Sequence, residues 1–179
     1  MMRKILVIGA GKSTSYLIDY LLEKSEAEKL QVTIGDINPS AVSAHIADHK
    51  QCSVVPLDIM NEEERGAAIS KSDIVISMLP ASMHIKVAED CLQFKKHLVT
   101  ASYISPALQS LNEKVKKNGL IFMNEIGLDP GIDHMSAMQV IDRIRDQGGR
   151  IILFESFCGG LVAPEDDNNL WNYKFTWNP

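Results

Sequence analysis

The chain alternates between short apolar runs and longer segments in which apolar and polar residues follow a helical period. The apolar runs are Ile5–Ile8, Gln31–Ile34, Ser53–Val55, Ile74–Met78, His97–Thr100 and Leu120–Met123. Each has the length and β-branched content of a strand. In the first intervening segment Tyr16, Leu17, Tyr20 and Leu21 fall on one helical face, and in a later one Ile85, Ala88 and Leu92 do the same. Asn38 before Pro39, Asn61 before three glutamates and Ser105 before Pro106 are plausible helix caps. Strands apolar on both faces that alternate with helices predict a parallel sheet covered on both sides. Six of them predict a doubly wound α/β domain of the dinucleotide-binding (Rossmann) kind.

After Asn124 the pattern changes. "EIGLDPGIDH" reads as a loop into a helix, where Ala137, Val140, Ile141 and Ile144 fall at helical spacing and the glycines at 148 and 149 mark the end. A further strand is predicted over Ile151–Phe157, followed by an aromatic segment, "LWNYKFTWNP". The expected organisation is a Rossmann domain over residues 1–129, a connecting helix over 130–149 and the start of a second α/β, substrate-binding domain over 150–179. The remainder of that second domain is expected to lie outside this sequence.

Composition narrows the field. The 179 residues are 45% hydrophobic with a net charge of −5 and no basic block, which argues against nucleic acid or an anionic membrane as partner. No apolar run approaches the roughly 20 residues of a membrane helix. Three scattered cysteines, Cys52, Cys91 and Cys158, argue against a zinc site or a disulfide framework and for a reducing, cytoplasmic setting.

The stretch "ILVIGAGKST" offers two phosphate-binding readings. A P-loop needs its first glycine where this chain has Leu6, within the strand, so the GKST ending is coincidental. A dinucleotide turn needs GxGxxG between strand and helix. Gly9 and Gly11 fit, directly after Ile5–Ile8, and the third position is Thr14. Gly9 permits the tight turn and Gly11 lets the backbone approach a pyrophosphate at the helix N-terminus. Asp36 follows the second strand at about the 20-residue distance where an acid accepts from the ribose hydroxyls. A carboxylate there repels a 2′-phosphate, so it favours NAD, with NADP left open. Asp36 could instead simply begin the turn "DINPS". Ligands of such a sheet bind beyond the carboxyl ends of the strands, here Asp58–Ile59, Leu79–Pro80, Thr100–Ser102 and Asn124–Glu125.

The pieces "GAGKST", "LDIMNEE", "DIVISMLPASMH", "KKHLVTASYISPAL", "FMNEIGLDPGIDHMSA" and "CGGLVAPEDDNNLWNYKFTW" span nearly the whole chain. They resemble saccharopine dehydrogenase of the glutamate-forming type, also called saccharopine reductase. The most specific are "GLDPGIDH" and the "GGL-APE" run followed by "YKF-W". The resemblance implies an NAD(P)-dependent oxidoreductase acting on a CH–NH group. It would interconvert saccharopine with glutamate and 2-aminoadipate 6-semialdehyde in lysine metabolism. One departure matters: fungal members that use NADP tend to carry a basic residue after the second strand, where this chain has Gly35, Asp36, Ile37 and Asn38.

By resemblance, Gly11, Lys12, Ser13 and Thr14 would bind the pyrophosphate, Asp58 and Ile59 would flank the adenine, and Leu79, Pro80, Thr100 and Ser102 would line the nicotinamide side. Ser102, Tyr103, Leu128 and Asp129 would touch saccharopine, with Asp129 as the acid–base group and Tyr103 orienting the substrate. Arg3, Arg65, Arg143, Arg145 and Arg150 are expected to be peripheral. The carboxylate-binding arginines would then lie in the remainder of the protein, and this stretch alone would be inactive. A homodimer is compatible with this reading. Competing readings are a related dehydrogenase of carboxylated polyamines and a Rossmann domain that binds a dinucleotide without turnover.

Other residues carry weaker signals. His84 is either near the nicotinamide or an exposed first-turn residue. His134 is either a proton relay or a capping or packed side chain. His45 and His49 have zinc-like spacing but lack the remaining ligands of a zinc motif, so a solvated face is expected and no metal site is assigned. Cys158 is expected to be a buried structural thiol.

Overall fold

The computed structural model describes residues 2–11, 13–42, 46, 48–157, 162–172 and 174. Lys12, His45, Cys158 and most of the "YKFTW" run, all named above, lie outside the described residues. By compactness the chain divides into two units, Met1–His134 and Met135–Pro179.

The first unit holds a six-stranded sheet: β1 Arg3–Ile8, β2 Leu30–Asp36, β3 Cys52–Pro56, β4 Ile74–Ser77, β5 His97–Thr100 and β6 Phe122–Met123. Its order is β3-β2-β1-β4-β5-β6 and every pairing is parallel. All six strands sit where the apolar runs predict, and the order reverses between β1 and β4, as in a doubly wound fold. Among the described residues its helices include α1 Ser15–Ser25, α2 Glu62–Ser70, α3 His84–Gln93, and the short α4 Pro106–Gln109 and α5 Asn112–Lys117.

The pleat divides β1 between two cores. Leu6 and Ile8 join Leu57, Ile69, Val75, Val87, Leu98, Leu108 and Val115 on the face covered by α2 to α5. Ile5 and Val7 join Ile18, Leu22, Val32 and Ile34 on the face covered by α1. Burying one such side chain is worth about 1.5–3 kcal/mol. Coverage is not equal on both faces, contrary to expectation. In β4 and β5 burial alternates, with Val75, Ser77, Leu98 and Thr100 fully covered and Ile74, Ile76, His97 and Val99 only half-buried.

One helix turns a different face inward from the one the sequence predicts. In α1 the buried residues are Ile18, Leu22 and Ser25, while Tyr16 and Tyr20 are exposed. Branched and small side chains fit under the helix against Ile5, Val7 and Val32, and the larger tyrosines keep their hydroxyls in water. In α3 the expected face does turn inward, with Ala88 buried and Ile85 and Leu92 packed against the core, and His84, Val87 and Cys91 beside them are buried more fully. Asn61 and Ser105 cap α2 and α4: the Asn61 side chain accepts from the amides of Glu63 and Glu64, and that of Ser105 from Leu108. Asn38 precedes only a short 3₁₀ turn and makes no cap to it.

Arg65, expected to be peripheral to the substrate, has a structural role. It is buried, donates from Nε to Asp90 Oδ2 at 2.7 Å and from Nη1 to the carbonyl of Ile59 at 2.6 Å, and so ties α2 to α3.

α6 runs from Ile132 to Asp146, beginning in the first unit and continuing into the second, and Gly148, with φ +76°, follows its end. The strand predicted over Ile151–Phe157 does not form. A strand is held by its ladder, and no described segment pairs with this one. Ile152 and Phe157 are each 90% exposed.

Candidate functional site

Because every strand is parallel, all six carboxyl ends lie on one edge, and the residues following them converge there. The turn after β1 crosses the switch between β1 and β4. Gly9 has φ +96°, and a Cβ on it would lie 3.0 Å from the carbonyl oxygen of Met78, at the end of β4. Only glycine fits that corner without strain. Gly11 is different: a Cβ there would meet nothing within 4 Å, so its backbone is open to approach. α1 begins with no side chain capping its first turn, which leaves backbone amides and the positive end of the helix dipole facing that opening. Ser13 is exposed. Thr14, in the place of the third glycine, is buried and turns its hydroxyl back to the carbonyl of Gly11 at 2.6 Å.

Asp36 ends β2 beside this turn. One carboxylate oxygen accepts from the amide of Ala10 at 2.7 Å and the other from Asn38 at 2.8 Å. The acid therefore clamps the turn, and each oxygen keeps a further lone pair. Gly35 before it makes room for Leu57, whose Cδ2 would lie 2.5 Å from an added Cβ. After β3, Asp58 is half-buried and accepts from the amide of Met60, whereas the Ile59 side chain belongs to the core. After β4, Leu79 is half-buried and Pro80 exposed, opening the turn that leads into α3.

The loops after β5 and β6 are laced together. The amide of Glu125 donates to the carbonyl of Ser102 at 3.1 Å, that of Ile126 to Thr100 at 3.3 Å, and Glu125 Oε1 accepts from the amide of Ile104. Across this lacing the Tyr103 hydroxyl donates to Asp129 Oδ1 at 2.8 Å. The two residues singled out for acid–base chemistry and orientation, far apart in sequence, are thus in direct contact. That bond, with burial and the Asp129 charge, raises the Tyr103 pKa, so the phenol stays protonated near neutrality. Leu128 is 68% exposed beside them. Gly131, with φ +146°, makes the turn possible, since a Cβ there would collide with Gly127.

His134 lies in the first turn of α6, exposed, with Nδ1 2.7 Å from Asp133 Oδ1. It is neither packed nor a cap. The Asp133 bond and charge raise its pKa. His49, the described member of the zinc-like pair, accepts from the amide of Gln51 within a turn.

The residue that sequence reasoning placed least well is His84. It is 1% exposed, with Nδ1 2.9 Å from Ser77 Oγ, and Nε2 2.7 Å from Ser102 Oγ and 3.1 Å from Thr100 Oγ1. Burial lowers its pKa, so the imidazole is neutral. The signal was present, because His84 shares helical spacing with Val87, Ala88 and Cys91.

Comparison with known proteins gives the family. Residues 5–123 match the saccharopine dehydrogenase NADP binding domain, and residues 127–179 match the saccharopine dehydrogenase C-terminal domain. Saccharopine dehydrogenase [NADP(+), L-glutamate-forming] of Pyricularia oryzae is 36% identical over 98% of this chain and 38% of its own length. The mitochondrial alpha-aminoadipic semialdehyde synthase of Bos taurus is 36% identical over 99% of this chain and 19% of its own. Apo saccharopine dehydrogenase (L-Glu forming) of Saccharomyces cerevisiae superposes with a TM-score of 0.80 at 36% identity, covering 98% of this chain and 38% of that one. The chain thus spans about two fifths of its fungal relatives. It belongs to the saccharopine dehydrogenase family.

Proposed function

We propose that this chain is the dinucleotide-binding part of a glutamate-forming saccharopine dehydrogenase, with the open side of the turn at Gly9–Thr14 as its pyrophosphate site. The observation that carries the reading is the Tyr103–Asp129 hydrogen bond. It joins an acid–base pair on the edge where the Gly9 turn opens.

When bound, the nicotinamide cofactor supplies the redox capacity by exchanging hydride with substrate carbon. The residues of this chain supply placement and proton handling. Saccharopine carries a secondary amine, which must be unprotonated before hydride departs from the adjacent carbon. Asp129 takes that proton. Loss of that proton and then of hydride leaves a protonated imine, and water adds to its carbon and splits it into glutamate and the semialdehyde. Tyr103, held protonated, orients the substrate and holds the carboxylate in place. Ser102 and Leu128 complete the substrate wall. The substrate carboxylates are met by cationic side chains outside this chain.

The names of the family and of the fungal relatives point to NADP. Asp36 points the other way, since its carboxylate at the Gly9 turn opposes a 2′-phosphate. We assign Asp36 as the residue that shifts preference toward NAD. Titration of the chain with NADH and NADPH, followed by nicotinamide fluorescence, tests both parts. Saturable binding of one or both is expected, and no binding of either would end the dinucleotide reading. Asp36→Ala should raise the ratio of NADPH to NADH affinity about tenfold, near 1.4 kcal/mol, and an unchanged ratio removes the ribose role. In the full-length enzyme Tyr103→Phe should lower kcat about tenfold or more, and saccharopine-dependent cofactor reduction separates an enzyme from a non-catalytic binder.

A further inference from the structure

The network around His84 lies at the covered ends of β4 and β5. Ser77 and Thr100 are partners in the parallel register and are both fully buried, so two hydroxyls face one another across the sheet where apolar side chains would pack at less cost. The imidazole fills the space beside them. Both ring nitrogens are engaged, and the outer one reaches Ser102, which is only half-buried and lies in the loop beyond β5. The amide of Ser102 also donates to Thr100 Oγ1 at 3.3 Å, which holds the serine over the ring.

A neutral imidazole has one N–H and one lone pair. If Nδ1 carries the proton, it donates to Ser77, Nε2 accepts from the Ser102 hydroxyl at 2.7 Å in preference to the more distant Thr100 Oγ1 at 3.1 Å, and Ser102 presents lone pairs outward. If Nε2 carries the proton, it donates to Ser102, whose own hydrogen is then free to point outward. One proton on a buried ring thus decides whether Ser102 offers an acceptor or a donor to what binds at the strand ends.

We propose that His84 is a positioning residue: held between Ser77 and Ser102, its tautomer fixes the polarity of the Ser102 hydroxyl toward the nicotinamide end of a bound cofactor. The inference rests on the dinucleotide reading above for its ligand, while the coupling of His84 to Ser102 can be measured without any ligand. A protonated ring would donate from both nitrogens and remove the choice, and its depressed pKa keeps it out of that state near neutrality.

The test uses this chain, ¹⁵N-labelled. The ring nitrogens of His84 should resolve as one protonated and one bare at neutral pH, and Ser102→Ala should shift the Nε2 resonance. A doubly protonated ring, or an Nε2 signal indifferent to Ser102→Ala, overturns the proposal even if no cofactor binds. For the ligand step, NADH and NADPH are titrated into His84→Asn, His84→Gln and Ser102→Ala, singly and combined. An asparagine amide reaches only the Nδ1 position, whereas glutamine reaches that of Nε2. His84→Asn should weaken binding of the preferred cofactor about fivefold, the scale of one hydrogen bond, and His84→Gln should restore it to within about twofold. His84→Asn should cost nothing further once Ser102 is alanine. Equal losses in Asn and Gln variants that melt normally, or additive losses in the double variant, show a merely structural histidine. If His84→Asn does not fold, the Gln variant and the Ser102→Ala resonance shift decide. Failure of the wild-type chain to bind either cofactor refutes the dinucleotide reading, and the resonance test still judges His84.

Discussion

The two units of this chain were read from the same kind of signal and folded to different degrees. In residues 1–134 each apolar run found neighbours. Val7, Val32, Val75 and Leu98 are fully buried, each in a strand paired within the sheet. In residues 135–179 the apolar residues are as frequent, yet α6 buries none of its described residues, and Leu153 and Trp171 are 72% and 86% exposed. The difference lies in the bonds each element needs. A helix satisfies its backbone within itself, so α6 forms from its own period, capped off at Gly148. A strand satisfies its backbone only through a neighbour, and among the described residues none pairs with Ile151–Phe157.

The contrast can be broken most directly by cutting side chains in each unit. Leu98→Ala removes a fully buried side chain and should lower the unfolding free energy in urea by about 3 kcal/mol. Leu153→Ala should change it by less than about 0.5 kcal/mol. A comparable loss from Leu153→Ala would show that the second unit has a core of its own.

Backbone strain gives the next largest effect. Gly9→Ala puts a Cβ at positive φ against the Met78 carbonyl and should cost about 1–2 kcal/mol in the same titration. Gly11→Ala, in open space, should leave stability nearly unchanged and act only on ligand affinity. Equal destabilisation by both would mean that the turn is not built as described.

Caps give a smaller one. Asn61→Ala removes the acceptor for the Glu63 and Glu64 amides and should lower the melting stability by about 1 kcal/mol.

The smallest is a slope with pH. The folded-state pKa of His84 lies below its ordinary value of 6.5, so above that value both folded and unfolded rings are neutral and the full stability is present. As pH falls below about 6.5 the unfolded ring takes up a proton first, and stability drops until the lowered folded pKa is reached. His84→Gln should flatten this limb of a Tm-against-pH profile. His134 opposes it, since its raised pKa adds stability at low pH that fades as pH rises, but it is exposed and its contribution is small. A limb unchanged by His84→Gln would assign the acid sensitivity to other groups.

Much of the site was legible because it follows strand ends. Once six apolar runs are recognised as parallel strands, Gly9, Asp36, Asp58, Pro80, Ser102 and Asn124 must collect on one edge. What could not be read was which side chains turn toward each other. Arg65 is charged, yet Asp90 on the next helix lets it be buried. Tyr16 and Tyr20 have the right spacing for a buried face, yet Ile18 and Leu22 fit the surface beneath them. The spacing of His84 with Val87, Ala88 and Cys91 pointed inward, but its hydrogen-bond partners Ser77, Thr100 and Ser102 appear only in the fold.

The sequence by itself determined the alternation of strand and helix, the glycine turn and the acid after the second strand, because spacing and steric demand act over a few residues. Only the tertiary structure decided the pairing of Tyr103 with Asp129, the burial of His84 and Arg65, and the lack of a partner for Ile151–Phe157 among the described residues. Those outcomes depend on partners remote in the chain, and a hydrogen bond or an ion pair exists only where the fold brings both members within reach.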